Sequence, residues 1–189
     1  NLNVSFSIWF FYLVCMIEEG LFSRFGLGVT ETDWFVWGLP SVSWQSWGAF
    51  VIMVLWGLWM ARQHLGEVLK QAWRPNSSSA DELLTYRTAV TVVVLGLTYM
   101  LVWLHKAGMS WMVAVLFLAG VLIAYIGITR LVIQAGAYYL TTPVVSQAMT
   151  MMTLGTASIA PHGLVALGLT YSFFGDVQSI FMPAAAHAA

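Results

Sequence analysis

The stretch WMVAVLFLAGVLIAYIGIT, residues 111–129, decides the fold class of this chain. Its 19 residues include no aspartate, glutamate, lysine or arginine, and Arg130 closes it. At a rise of about 1.5 Å per residue, a helix of this length extends about 28 Å, which is close to the hydrocarbon thickness of a bilayer. The stretch is therefore predicted to be a transmembrane helix.

Further apolar segments precede and follow it along the chain. They cover residues 4–17, 48–61, 88–104 and 144–160, with another short apolar segment at 163–174. Of the 189 residues, 60% are hydrophobic and 8% are charged, whereas soluble domains have about 25% charged residues. So few charges cannot cover the surface of a soluble protein. The sequence predicts an all-α fold: a polytopic transmembrane bundle of about five hydrophobic segments, forming a single domain over residues 1–189.

The composition argues against several function classes. The formal net charge is −1 and no basic patch with interleaved aromatic residues occurs, so no nucleic-acid partner is expected. Cys15 is the single cysteine and lies in an apolar run, where burial as a small hydrophobic side chain is the favoured interpretation. The HExxH, CxxC, GxSxG and phosphate-loop patterns do not occur, and the histidines lie at segment ends or breaks. No enzymatic activity, metal or cofactor is therefore predicted.

Polar residues separate the first two segments. The sequence Glu18-Glu19-Gly20 follows the first segment and is predicted to stop it. Residues 21–47 are rich in glycine, serine and tryptophan, and tryptophan prefers the headgroup level of a membrane. This stretch is predicted to be a loop along the membrane surface. The acidic pair more often marks a water boundary than a proton or cation site, and both interpretations stay open.

The later connections carry helix signals. Apolar residues recur at helical spacing over residues 65–73 with charged residues mostly opposite, which is typical of an amphipathic helix at the interface. Ser79 and Glu82 have the spacing of a capping box, which predicts a helix start. Gly108 suits a helix C-terminus and Ser110 a new N-cap, so the third and fourth segments are predicted to form a tight hairpin.

The basic residues are unevenly distributed between the two sides of the predicted bundle. One side carries Arg62, Lys70, Arg74, Arg87 and Arg130, and the other carries Arg24 and Lys106. Because lysine and arginine are enriched in cytoplasmic loops, the loop 62–87 is predicted to be cytoplasmic. The chain is expected to be a multi-pass protein of the bacterial inner membrane, with the lipid bilayer as its first partner.

The fifth segment, residues 144–160, carries several polar side chains. The candidate solute path consists of polar residues in and around it: Arg130, Gln134, Ser146, Gln147, Thr150, Thr153, Thr156 and Asp176. Ser146 and the three threonines share a broad helical face, which is predicted to point into the bundle or a hydrated cavity because unpaired polar groups are unfavourable in hydrocarbon. Arg130 or Gln134 is expected near one end of it. Tight packing of small residues against another helix is an equally open interpretation, and Asp176 could equally cap a re-entrant turn.

Four stretches of the chain carry a resemblance to a known family. They are NLNVSFSIWFFYLV at residues 1–14, LWMARQHLGEVLKQAW at 58–73, RLVIQAG at 130–136 and GDVQSIFMPAAAH at 175–187. In this order and spacing they resemble a family of bacterial membrane proteins related to the oligopeptide transporter superfamily. The resemblance implies a longer protein of many helices, and the chain is expected to be a middle or C-terminal fragment of it.

The resemblance also implies a function. Its better-known relatives transport peptides or metal chelates, so secondary transport of a small solute is expected here. Where the related pattern Arg-x-x-x-Glu-Ala-Gly has an acid, this chain has Gln134, so any proton coupling through that acid is in doubt. The alternative is a non-transporting structural or accessory subunit of a larger membrane complex. Besides lipid, the expected partners are the rest of a larger chain or other membrane subunits, and a homo-oligomer stays open.

Overall fold

The computed structural model describes residues 2–26, 40–73, 85–135 and 142–174. Within these ranges every regular element is helical, and no strand occurs. The elements are α1 (Leu2–Phe25), α2 (Pro40–Met60), α3 (Arg62–Ala72), α4 (Tyr86–Lys106), α5 (Trp111–Ala135), α6 (Ser146–Leu154), a 3-10 turn (Thr156–Ser158) and α7 (Pro161–Phe174). The predicted all-α fold is confirmed.

Four of these helices are long and apolar enough to cross a membrane. The candidate spans are Val4–Phe25, Ser41–Met60, Tyr86–Lys106 and Trp111–Gln134. Each of them overlaps one of the first four segments predicted from the sequence and extends beyond it at one or both ends. The protein is therefore a multi-pass membrane protein with several apolar helices.

The fifth predicted segment, residues 144–160, is not one continuous helix. Its helix α6 has nine residues, which at about 1.5 Å per residue is too short to cross a bilayer. Gly155 ends α6 with a φ of 76°, a conformation that glycine adopts because it has no Cβ to clash. The 3-10 turn follows, and Pro161 begins α7 at a position where its missing N–H is tolerated.

The acidic pair does not end the first helix, which corrects the sequence prediction. α1 continues through Glu18 and Glu19 to Phe25. Both carboxylates have polar partners on α2. Gln45 Nε2 donates to Glu18 Oε1. Ser41 Oγ donates to Glu19 Oε2. Because glutamate is also a good helix former, the pair stays within the helix while its side chains contact the neighbouring one.

The predicted surface loop at residues 21–47 also needs correction at both ends. Its first part belongs to α1 and its last part to α2, which begins at Pro40. Trp47 is buried in the bundle and stacks on Phe50, with 5.7 Å between the ring centroids. Trp47 therefore packs inside the bundle, and not at the membrane surface as the sequence predicted. Residues 27–39 lie outside the described part of the chain.

The central helix of the bundle is α5, which contacts α2, α4 and α6. One buried apolar cluster joins it to α2 and α6: Trp47, Phe50, Val54, Ala124, Ile128, Val132, Val144, Val145, Ala148 and Met149. A second buried cluster involves α4, α5 and α7: Leu104, Met109, Val113, Ala114, Phe117, Val121, Ile159, Ala166 and Leu167. In a bilayer, such helices are held together by close packing more than by exclusion of water.

Two glycines on α5 permit the close approach of its neighbours. A Cβ at Gly120 would lie 2.8 Å from Met149 Cε and 3.3 Å from Ser146 Cβ. A Cβ at Gly127 would overlap the ring of Phe50 on α2. Membrane helices gain packing contacts where small residues let their backbones approach. These glycines therefore set the positions of α6 and α2 against α5.

The α4–α5 hairpin forms as the sequence predicts. The Met109 N–H donates to the Leu104 carbonyl at 3.1 Å, which is the long-range bond of a Schellman motif at a helix C-terminus. Gly108 has a φ of 110°, the left-handed conformation that this motif needs after the helix ends. At the start of α5, Ser110 Oγ accepts from the Val113 N–H at 3.4 Å. Both residues therefore have the predicted capping roles.

The predicted amphipathic helix is present as α3. Its apolar residues Leu65 and Leu69 are exposed, while Ala72 is buried where α3 contacts α4. Apolar side chains that stay exposed among the described residues, opposite charged ones, are typical of a helix lying on a membrane surface. The predicted capping box at Ser79 and Glu82 lies outside the described residues.

Candidate functional site

The predicted polar residues do not form one face. Ser146, Gln147 and Thr150 are buried on α6, whereas Thr153 is exposed on the same helix. Thr156 is exposed in the 3-10 turn, because the helix ends at Gly155 before reaching it. Asp176 lies outside the described residues. The buried polar group is therefore smaller than the one predicted, and its role in a solute path stays a prediction.

The threonine hydroxyls of α6 are satisfied by their own helix. Thr150 Oγ1 donates to the Ser146 carbonyl at 2.8 Å. Thr153 Oγ1 donates to the Met149 carbonyl at 2.7 Å. This pattern lets a threonine face either protein or hydrocarbon, so neither hydroxyl by itself indicates a ligand.

Gln147 differs because its own helix does not satisfy its amide. The side chain is fully buried, and its Nε2 donates to Thr170 Oγ1 on α7 at 3.2 Å. The Thr170 hydroxyl in turn donates to the Leu167 carbonyl at 2.6 Å. With its proton used in that bond, the Thr170 oxygen accepts from the amide nitrogen, which fixes the orientation of the amide. Gln147 Oε1 then has no hydrogen-bond donor in the described part of the chain.

The unpaired Gln147 Oε1 is an unusual feature for a folded interior. Buried polar atoms nearly always have a hydrogen-bond partner, and one left without costs about 1–3 kcal/mol. A carbonyl oxygen can only accept, so the complementary group is an N–H or O–H. The α6–α7 contact therefore buries an acceptor that has no donor in the described part of the chain.

Sequence reasoning missed Thr170. It lies in the apolar segment 163–174, where a single threonine has little weight because it can bond to its own helix. Its contact with Gln147 joins residues 23 positions apart. One signal was available: Gly163, Ala166 and Thr170 recur at helical spacing, and all three are buried. That spacing marks the face of α7 that packs inward.

Arg130 and Gln134 lie in a different environment from Gln147. Arg130 Nη1 donates to the Met53 carbonyl on α2 at 3.4 Å, and its guanidinium covers Gly57, where a Cβ would overlap it. Gln134 is exposed. The described hydrogen bond of Arg130 thus runs to α2 and not to α6, and the position of Arg130 or Gln134 near one end of the polar face stays a prediction.

The buried amide lies beside a broken helical segment. α6 is followed by Gly155, the 3-10 turn and α7, and Gln147 on α6 reaches Thr170 on α7 across this break. Together with the four apolar candidate spans, this arrangement defines the class: an α-helical, multi-pass membrane protein with a polar contact between two short helices.

Comparison with known proteins places the chain in a family. It belongs to the family described as "Family of unknown function (DUF6785)", which matches residues 1–189. No curated protein and no solved structure is significantly similar to it. The family description contains no activity and no link to oligopeptide transporters, so transport enters only as a proposal.

Proposed function

We propose that the chain is part of a secondary transporter for a small polar solute, of the peptide or metal-chelate class, and that Gln147 lies on its path. One observation carries this proposal: a fully buried amide whose Oε1 has no donor in the described residues, beside a break between two short helices. Transporters commonly place solute sites at interrupted helices. Irregular backbone at membrane depth is tolerated where protein encloses it or where it lines a cavity.

The chemistry of the site suits a neutral hydrogen-bond donor. A peptide N–H, or a water bound to a chelated metal, can donate to Gln147 Oε1 without bringing a charge into the bundle. Gln134 is exposed on α5, and its amide group does not ionise. We therefore propose no proton-coupling role for it.

Uptake by the full-length protein in proteoliposomes tests the proposal, with labelled trialanine and labelled ferric citrate as probes. Gln147→Leu keeps a side chain of similar volume but removes the acceptor. It is expected to lower uptake of the transported probe about tenfold, since one lost hydrogen bond of about 1.4 kcal/mol corresponds to that factor. Protein abundance should stay unchanged.

Thr153→Val is the matched control on the same helix. Thr153 is exposed and its hydroxyl bonds to its own helix, so uptake should remain at the wild-type level. If Gln147→Leu took up the probe at the wild-type rate, the proposal that Gln147 lies on the solute path would be refuted. If folded wild-type protein moved neither probe faster than empty liposomes do, transport of these two classes would be refuted.

A second candidate function is a non-transporting structural or accessory subunit. Its support is the outer surface of the bundle: the candidate spans in α1 and α4 are 0% and 6% buried among the described residues. The rest of a longer chain, another subunit or a second copy would cover these faces. A cysteine at Val94 on the exposed face of α4 should cross-link to protein in native membranes if α4 has such a partner. The uptake measurement then separates the two functions, because an accessory subunit moves neither probe.

A further inference from the structure

We propose that Arg130, together with Gln134, binds the phosphate headgroup of an anionic phospholipid whose acyl chain lies along α5. This inference is independent of the proposed function, because it holds equally for a transporter and for an accessory subunit. It concerns a groove of about 440 Å³ on α5, the α5 groove, lined by Tyr125, Ile126, Thr129, Arg130, Ile133 and Gln134.

The first step is the unused hydrogen-bonding capacity of Arg130. A guanidinium has five N–H donors, and the described bond uses one of them, from Nη1 to the Met53 carbonyl at 3.4 Å. No carboxylate in the described ranges forms an ion pair with Arg130. A cation at membrane depth normally has a partner of opposite charge or reaches the headgroup level. Phosphate oxygens fit the planar donor array of arginine well.

The second step is the shape of the α5 groove. Ile126 and Ile133 are exposed there, at 41% and 57% of their surface, and they lie about one turn on either side of Arg130. Gln134 is one turn further from the centre of the span and adds an amide donor on the same side. A cation with an apolar surface on its membrane side matches an amphiphile, with the phosphate at Arg130 and the acyl chain over Ile126.

The third step is depth and charge. The candidate span of α5 ends at Gln134, so Arg130 lies about one turn before its end, from where its long side chain can reach the headgroup level. Since α5 runs antiparallel to α4, this end is close in depth to the start of α4, where Arg87 lies beside the end of α3. Arg62 and Lys70 on α3 add positive charge at this end. Anionic headgroups are attracted to such a surface.

The position of the guanidinium depends on Gly57. A Cβ at this residue would overlap Arg130 Nη1, so an alanine there must move the end of the arginine side chain. A flexible side-chain end can move without unfolding the protein. Gly57→Ala therefore displaces the charge without removing it, which separates a built site from general attraction to a basic surface.

The test is the melting temperature of the purified full-length protein in neutral detergent, with lipid added. Phosphatidylglycerol should raise the melting temperature, and phosphatidylcholine should do so much less. In Arg130→Gln the concentration of phosphatidylglycerol needed for half the effect should rise about tenfold, the loss expected for a charge-assisted hydrogen bond. Gly57→Ala should shift the response in the same direction.

The control is Arg62→Gln. Arg62 is exposed on the same side and donates to the Trp59 carbonyl at 2.8 Å. It contributes only general positive charge at this end, so its loss should weaken the phosphatidylglycerol response much less than the loss of Arg130. The proposal is overturned if Arg130→Gln and Gly57→Ala respond like wild type, or if Arg62→Gln weakens the response as much. If inorganic phosphate stabilised the protein as much as phosphatidylglycerol does, the lipid proposal would be refuted, because the site would then bind phosphate without a lipid.

Discussion

At the residue scale, the threonines of the described helices differ from Gln147, because their own helices satisfy their hydroxyl groups. Thr91, Thr98, Thr150 and Thr153 each donate to the carbonyl four residues earlier. A threonine in a helix can therefore lie against lipid or protein with little consequence. An amide has more hydrogen-bonding atoms than its own helix can satisfy. Gln147 thus needs a neighbour, which the structure supplies on one side through Thr170.

The unpaired Oε1 leads to a prediction about stability. Gln147→Met should leave the protein as stable as wild type or more stable by up to about 2 kcal/mol, because methionine has a similar volume and removes the unpaired carbonyl. Thr170→Val should lower stability by about 1–2 kcal/mol, because it removes the acceptor for the amide nitrogen. Thermal unfolding in detergent, followed by tryptophan fluorescence, measures both.

Thr98→Val serves as the reference for these variants. Thr98 is exposed on α4 and bonds to the Val94 carbonyl at 2.8 Å, so its replacement should be nearly neutral. A loss of more than about 2 kcal/mol in Gln147→Met would contradict the prediction, since it would exceed the loss of the Nε2–Thr170 hydrogen bond and would indicate a favourable contact of Oε1 as well.

At the element scale, α5 acts as the support for its neighbours, and its glycines decide how close they come. Gly120 faces Met149 and Ser146 of α6, and Gly127 faces Phe50 of α2. Both positions lie inside a span where Ala or Leu would favour the helix more than glycine does. α5 thus has glycine, a residue of low helix propensity, at the two points where α6 and α2 approach it most closely.

Gly127→Ala is therefore expected to destabilise the protein although alanine favours helix. Its Cβ would overlap the Phe50 ring, and overpacking of this kind costs about 1–3 kcal/mol. Gly96→Ala on α4 is the matched control, because no atom lies within 4 Å of a Cβ there. That variant should be neutral or stabilising by up to about 1 kcal/mol. Thermal unfolding in the same detergent gives both values.

A second-site change distinguishes local overlap from a general defect. Phe50→Leu removes the ring that the new Cβ meets, so Gly127→Ala should cost less in the Phe50→Leu background than in wild type. Equal losses in both backgrounds would mean that the α2–α5 contact at this point does not have the described geometry.

At the scale of the whole molecule, the order of the helices has consequences for topology. α4 and α5 form a tight hairpin, so their outer ends lie together at one end of the bundle, while Lys106 lies in the last turn of α4 at the other. α3 contacts the start of α4. The charged residues of α3 therefore lie at the same end of the bundle as Arg130 on α5. The uneven distribution of lysine and arginine predicts that this end faces the cytoplasm.

Cysteine labelling from the two sides checks this arrangement. In a Cys15→Ala background, Lys70→Cys should react with a membrane-impermeant maleimide in inverted vesicles but not in intact cells. Lys106→Cys should show the opposite pattern, because one span separates the two positions. If Lys70→Cys reacted only in intact cells, the predicted orientation would be inverted. Labelling of both from one side would mean that α4 does not cross the membrane.

The sequence by itself determined the helical, membrane-spanning character of the chain and the turn between α4 and α5. Hydropathy is a property of each segment alone, so residues 111–129 identify a span whatever packs against them. The capping roles of Gly108 and Ser110 also depend only on residues within one turn. Such local features can be predicted because the interacting groups are neighbours in the chain.

Only the tertiary structure decided how the polar residues are used. α1 continues past Glu18 and Glu19 because α2 supplies Gln45 and Ser41 as partners. The amide of Gln147 is bound by Thr170, 23 positions away, and the side chain of Arg130 on α5 donates to Met53 on α2, 77 positions away. Hydropathy and helical spacing describe one segment at a time, whereas these contacts depend on which helices pack together and at what rotation.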